Sequence, residues 1–171
     1  MNLDDLPPAE VKWEGKFVRV LQRERWEFAS RSRNIRAVVI LAEHDGKVIL
    51  VEQPRVAPDC RCIELPAGLV GDEDPNATIE ATAIKELQEE TGFTADRIER
   101  LGEFYSSPGM LSEAFTLVRA HGVRKIGEGG VDHSEDIQVH LVPRAEVQNF
   151  IEQKRAEGIG FDAKLLLLLN Y

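Results

Sequence analysis

The decapeptide IKELQEETGF, Ile84–Phe93, constrains the fold more than any other stretch of the chain. Glu86, Glu89 and Glu90 crowd into five residues beside one cation, Lys85. Helical periodicity runs back from here to Pro75 or Asn76. Ala77, Ala81, Ile84, Leu87 and Thr91 then share one face at 3.6 residues per turn. Asn76 is the expected N-cap, Glu80 lies early in the helix where its charge suits the dipole, and Gly92 is the expected left-handed terminator. At about 100° per residue the three glutamates fall opposite an apolar face centred on Ile84 and Leu87. Like charges one turn apart oppose each other by about 0.2–0.5 kcal/mol. Two readings account for a helix that tolerates this. One is a solvated acidic face. The other is a platform on which Glu86 and Glu90 hold a hard cation such as magnesium, which takes one or two carboxylates, water and phosphate oxygens.

Around this helix the pattern is mixed. Lys16–Gln22 and Arg25–Ala29 read as an N-terminal hairpin. Ala37–Ala42 and Lys47–Gln53 read as a second hairpin turning at His44-Asp45-Gly46. Cys62–Leu65 leads into an expected turn at Pro66–Gly68. The loop Val70–Asn76 (VGDEDPN) carries Asp72, Glu73 and Asp74, expected to be solvated. Further strands are expected at Leu101–Tyr105, Ala114–Ala120 and Ile137–Pro143, and helices at Arg144–Glu157 and Asp162–Leu169. Strands and helices do not alternate regularly, which indicates a mixed α/β sandwich rather than a doubly wound sheet.

A length of 171 residues suits one domain with a small N-terminal addition. A formal charge of −9 argues against a nucleic-acid backbone as partner, though not against a small anion carried by metal ions. The acidic N-terminus MNLDDLPPAE lacks the apolar core of a signal peptide. The apolar run Leu165–Leu169 is far short of a membrane span, so no membrane association is expected. Cys60 and Cys62 fall on one face of a strand, and two thiols cannot close a tetrahedral zinc site alone. They are expected to be reduced thiols, structural or incidental, in a cytoplasmic protein.

Lys85–Phe93 resembles the second half of the Nudix box, G-x5-E-x7-R-E-U-x-E-E-x-G-U with U aliphatic or aromatic. The match falls at Glu86, Leu87, Glu89, Glu90, Gly92 and Phe93. In the first half Gly71 stands at the box glycine, Ala77 at the box glutamate and Lys85 at the box arginine. The joint loss of that Glu–Arg brace is coherent, because without the carboxylate a bidentate guanidinium has lost its use.

The rest of the chain resembles the ADP-ribose pyrophosphatase subfamily. The likeness is carried by ELPAGL (Glu64–Leu69), SPGMLSE (Ser107–Glu113), the strands around Glu14–Phe17 and Arg25–Glu27, and VDHSEDIQV (Val131–Val139). The resemblance implies a Nudix α/β/α sandwich with a mixed sheet and a small N-terminal β-hairpin region. Residues 1–34 would serve dimerisation and base binding, and residues 35–171 would form the hydrolase domain.

The resemblance also implies magnesium or manganese held by the Ala67 carbonyl, Glu86, Glu90 and Glu135, with Glu89 in support. Glu135 would activate water, with His133 as the alternative base. Phe17 and Trp26 would stack on a nucleobase, since aromatic stacking contributes about 1–3 kcal/mol per base. Arg31 and Arg55 would hold base and phosphate, and Gly109, Met110 and Glu113 the terminal ribose. The implied assembly is a homodimer, and the implied reaction cleaves ADP-ribose or a related nucleoside diphosphate sugar to a nucleoside monophosphate and a sugar phosphate. Two alternatives stand beside it: another nucleotide pyrophosphate, such as GDP-mannose or a dinucleoside polyphosphate, and a silent domain that only binds a nucleotide sugar.

Overall fold

The computed structural model describes residues 2–33, 35–72, 74–130 and 136–169, the last without its side chain. An outlying antiparallel sheet comes first: β1 (Glu10–Glu14), β2 (Val18–Arg23) and β3 (Trp26–Arg31), in that order. The expected hairpin is β2–β3, and β1 adds a third strand. All five β1 residues are exposed, so it carries no alternation that a sequence pattern could reveal.

The remaining strands are β4 (Arg36–Leu41), β5 (Glu43–His44), β6 (Lys47–Arg55), β7 (Cys60–Glu64), β8 (Ala67–Val70), β9 (Phe93–Thr94), β10 (Arg97–Tyr105), β11 (Ala114–His121), β12 (Arg124–Lys125), β13 (Gln138–Pro143) and β14 (Gly160–Phe161). One mixed sheet has the order β10-β11-β4-β8, with β11 and β4 parallel. A second has the order β13-β6-β7-β14, with β5 against β6 and β14 parallel to β7. This is the expected mixed α/β architecture.

The second expected hairpin does not form as such. The chain turns at Asp45-Gly46, but only Glu43–His44 pairs with Lys47–Val48, and Ala37–Leu41 enters the other sheet. Alternation explains why. Val39 and Leu41 pack into the core between the sheets with Leu50, Ile63 and Leu117, while Val38 and Ile40 face a second core under the long helix. A strand buried on both faces needs a layer on each side. Pro66–Gly68 is likewise not a turn: the break falls at Leu65-Pro66, and Ala67 and Gly68 begin β8, paired to β4.

The long helix is α1, Ile79–Thr91. It begins later than the sequence suggests. Asp74 accepts hydrogen bonds from the Asn76 and Ala77 amides at 2.9 Å, so residues 74–77 form a turn of their own. Thr78 is the N-cap, its hydroxyl accepting from the Ala81 amide at 3.2 Å. The later start turns the helix. Ile79, Thr82, Ala83, Leu87 and Thr91 face inward, Ala81 is exposed, and Ala77 lies outside the helix. Gly92 ends it at φ 74°, as expected. Where the box brace is missing, Glu80 takes a bidentate ion pair from Arg100 of β10, at 2.6 and 3.0 Å. Thr78→Ala should lower stability by about 0.5–2 kcal/mol in a chemical denaturation titration.

A second helix, α2 (Val147–Ala156), follows a single 3-10 turn, and Ala163–Leu169 winds as a 3-10 helix. Both lie close to their expected positions. Among the described residues, no helix is long and apolar enough to cross a membrane.

Beside α2, Glu52 is 3% exposed, yet it meets three cationic or proton-bearing groups: Arg61 at 2.7 Å, His140 at 2.9 Å and Lys154 at 3.4 Å. Burial opposes its ionisation. The hydrogen bonds from Arg61 and His140 and the Lys154 charge outweigh burial and hold the carboxyl below its ordinary 4.5. A depressed folded-state value contributes stability above the unfolded value and loses it as pH falls through the folded one. Glu52→Gln should therefore be less stable than the parent at neutral pH. The gap should narrow as pH drops below 4.5, read by denaturant titrations across that range.

Cys60 and Cys62 are free thiols on one face of β7. Burial, then the neighbouring Cys60, pushes the Cys62 thiol up to about 11, so it is protonated near neutral pH.

Candidate active site

The break at Leu65-Pro66 carries the chain from one sheet to the other and aligns the end of β7 with the start of β8 beside α1. Glu64, Ala67, Gly68, Glu86 and Glu90 meet there around a cavity of about 500 Å³. The glutamates of α1 do not share one solvated face. Glu89 is exposed and pairs with Lys85 at 3.2 Å, while Glu90 is only 8% exposed. The Ala67 amide donates to Glu90 at 3.1 Å, which pins that carboxylate against the head of β8. Glu86 lies against Gly68 so closely that an added Cβ would come within 2.2 Å of its carboxyl carbon. A side chain at 68 would displace the Glu86 carboxylate from this position.

Two ion pairs shape the rest of the wall. Arg55 grips the buried Glu64 in a fork at 2.6 and 2.8 Å. Arg31, at the end of β3, bonds Glu113 at 2.7 Å. The SPGMLSE loop is stitched to β3 by the Ala29 amide on the Met110 carbonyl (2.9 Å) and the Ser112 amide on the Ala29 carbonyl (3.0 Å).

Of the residues expected from sequence, Ala67, Glu86, Glu90, Arg31, Arg55 and Glu113 line this one cavity. Glu89, Phe17, Trp26, Gly109 and Met110 do not. Phe17 and Trp26 are exposed on the outlying sheet, each beside a cation, Lys16 and Arg25 respectively. Asp72 and Asp74 are exposed at the cavity, and Asp72 pairs with Arg33 at 3.2 Å. Glu73, His133 and Glu135 lie outside the described residues. The chain leading to residue 131 is fixed at the end of α1, where the Gly130 amide donates to the Glu89 and Glu90 carbonyls at 2.9 and 3.1 Å.

Sequence reasoning did not single out Gly68, Gln53 or Lys164, which also line the cavity. Gly68 stood inside ELPAGL, whereas nothing local marks Gln53 or Lys164.

Among the described residues, the lining carries six carboxylates (Glu64, Asp72, Asp74, Glu86, Glu90, Glu113) against four cations (Arg31, Arg55, Lys85, Lys164). Two of the cations are already matched within the wall, by Glu64 and Glu113. A polyanion enters such a cavity only with added positive charge. Among the described residues, no three His, Cys, Asp or Glu side chains form a closed metal cage. Two carboxylates one turn apart, beside the Ala67 peptide, instead suit a hard divalent cation such as magnesium, which keeps waters and takes phosphate oxygens as its other ligands. The residues present fit that ion.

The model of the NUDIX domain matches residues 31–165, and the chain belongs to this family. It is 33% identical over 135 residues to a methanol dehydrogenase activator from Bacillus methanolicus, covering 78% of this chain and 69% of that one. It is 33% identical over 138 residues to an ADP-ribose pyrophosphatase from Bacillus subtilis, covering 79% and 70%. It is 35% identical over 144 residues to a GDP-mannose pyrophosphatase from Cronobacter sakazakii, covering 79% and 71%. A solved structure titled as an ADP compounds hydrolase superposes with a TM-score of 0.68 at 23% identity, covering 86% of this chain and 82% of that one, and shares the fold.

Proposed function

We propose that the chain is a magnesium-dependent hydrolase that cleaves the pyrophosphate of ADP-ribose or a related nucleoside diphosphate sugar, giving a nucleoside monophosphate and a sugar phosphate. The observation that carries this reading is the pair Glu86 and Glu90 on one wall of the cavity, one carboxylate seated against Gly68 and the other anchored by the Ala67 amide. The names of the Bacillus subtilis and Cronobacter sakazakii relatives agree with it. Magnesium held by Glu86, Glu90 and the Ala67 carbonyl would neutralise phosphate oxygens and acidify water.

The protein's own part is positioning and proton transfer. Arg55 and Arg31 present guanidinium edges to the phosphates and the base, their planes fixed by Glu64 and Glu113. Glu113, with the backbone of Gly109 and Met110, holds the terminal ribose. Glu135 would take the proton from the attacking water and stand among the residues that hold the ion, with Glu89 in support from the exposed edge of α1. His133 assists. Glu135→Gln should therefore cost far more in kcat than His133→Ala; equal collapse in both would move the base to His133.

Trp26 and Phe17 reach a base in a partner copy's cavity rather than their own. The exposed apolar side chains of the outlying sheet, among them Trp13 at 58% and Phe17 at 60%, suit a two-fold contact with a second copy. Residues 1–34 then serve dimerisation and base binding, and residues 35–171 the chemistry, in a cytoplasmic enzyme. Incubation with ADP-ribose, GDP-mannose, ADP-glucose and diadenosine polyphosphates, with and without magnesium, tests the substrate class. Preferred turnover of a nucleotide sugar supports it, and preferred turnover of a dinucleoside polyphosphate overturns it.

A further inference from the structure

The cavity beside α1 has two ends. Ala67 of β8 faces the core between the sheets with Val39 and Phe115, whereas Gly68 faces α1, where it meets Glu86. All five residues line the cavity, which therefore curls round β8, the last strand of its sheet. One end lies at the carboxylates of α1. The other is lined by both sheets, through Val39 and Phe115 of the first and Arg55 and Glu64 of the second. Lys164, from the 3-10 helix near the end of the chain, closes this second end.

The root of the Lys164 side chain is fixed. Its amide donates to the Asp162 carboxylate at 2.7 Å, and the Asp162 amide donates to the Ile63 carbonyl at 3.1 Å, which ties this turn to β7. Leu165 and Leu168 seat the helix in the same core as Phe115. The head of the side chain is less committed. Its ammonium pairs with Asp162, which is not part of the lining, and stands 5.7 Å from the centre of the Phe115 ring. An ammonium has three N–H donors. Among the described residues, Asp162 is its one hydrogen-bond acceptor. Arg55, at the same end, has instead given two of its N–H groups to Glu64. Lysine binds phosphate as a point charge, with no need of a fixed fork.

We infer that Lys164 is a substrate-binding residue whose ammonium takes an oxygen of the second phosphate of a nucleoside diphosphate, the one not carried at Glu86 and Glu90. The inference deepens the nucleotide-sugar reading and rests on it. A diphosphate is two anionic groups in series, so one whose first phosphate lies at α1 carries its second round β8 toward the end that Lys164 closes. Asp162 orients the ammonium and competes with the phosphate for it.

Calorimetric titration of the full chain with ADP-ribose in chelator, beside steady-state kinetics in magnesium, tests this. Lys164→Met keeps the apolar stem and removes the charge. It should weaken ADP-ribose binding about tenfold and raise KM by a similar factor, with kcat changed far less. Asp162→Asn keeps an acceptor for the Lys164 amide and removes the competing charge, so it should tighten binding. Structural damage would move both variants the same way. Unchanged affinity and KM in Lys164→Met, or weaker binding in both variants, overturns the inference, and the hydrolase reading stands if turnover persists. Weaker binding in Lys164→Met alone, with no turnover in any of the proteins, supports the inference and overturns the hydrolase reading.

Discussion

Glu90→Gln is expected to lower magnesium-dependent turnover by about a hundredfold or more while leaving the fold intact. The two halves of that expectation have different physical sources. The glutamine carbonyl still accepts the Ala67 amide hydrogen bond, so no buried donor is orphaned and the head of β8 keeps its contact with α1. The negative charge is lost, and a hard cation held there would lose one of its carboxylate ligands. Metal stabilisation of the reacting phosphate is worth several kcal/mol, and each 1.4 kcal/mol is about tenfold in rate. Steady-state kinetics across a magnesium titration, beside a denaturation curve, measures both. Glu90→Ala should add a stability loss of about 1–3 kcal/mol, because it leaves the Ala67 amide without its acceptor.

Gly68→Ala is expected to be nearly as damaging to catalysis, although position 68 contributes no functional group. Its φ lies outside the left-handed region, so the backbone tolerates alanine. The new Cβ would fall 2.2 Å from both Cγ and Cδ of Glu86, and that side chain must leave. A flexible glutamate on a half-exposed helix face moves without unfolding the sheet. Misplacing a catalytic or positioning group by about 1 Å costs on the order of a hundredfold in rate. The double variant Gly68→Ala with Glu86→Gln identifies the route: if glycine acts through Glu86, the two losses are strongly non-additive. Full additivity would mean that Gly68 serves the site in some other way.

The second half of the box was legible because its information is local: Glu86, Glu90 and Gly92 follow from helical spacing and a left-handed terminator. The box brace was legible by its absence, but the ion pair of Glu80 with Arg100 was not, since the two meet only after β10 folds back across the sheet. The helix start was misplaced because Asp74 competes as a turn former just ahead of Thr78. The second hairpin was misread because a double-faced apolar strand pairs with whatever layer completes its burial, here β11, more than seventy residues away. Helical spacing left a solvated acidic face open beside a cation platform, because the pattern cannot show that the Ala67 amide at the head of β8 meets Glu90. Nothing in the sequence couples Arg31 to Glu113, which lie 82 residues apart and meet only in the tertiary fold.

Glu86, Glu90 and Ala67 would form the platform on which a nucleotide-sugar pyrophosphate is cleaved. Phosphorus NMR of ADP-ribose and GDP-mannose incubated with the protein, in magnesium and then in excess chelator, tests it most directly. The prediction is loss of the coupled pyrophosphate signals and growth of two phosphomonoester signals for at least one of these compounds, in magnesium alone. Unchanged pyrophosphate signals for both compounds, under conditions where the protein measurably binds them, would contradict it and leave a domain that binds nucleotide sugars without cleaving them.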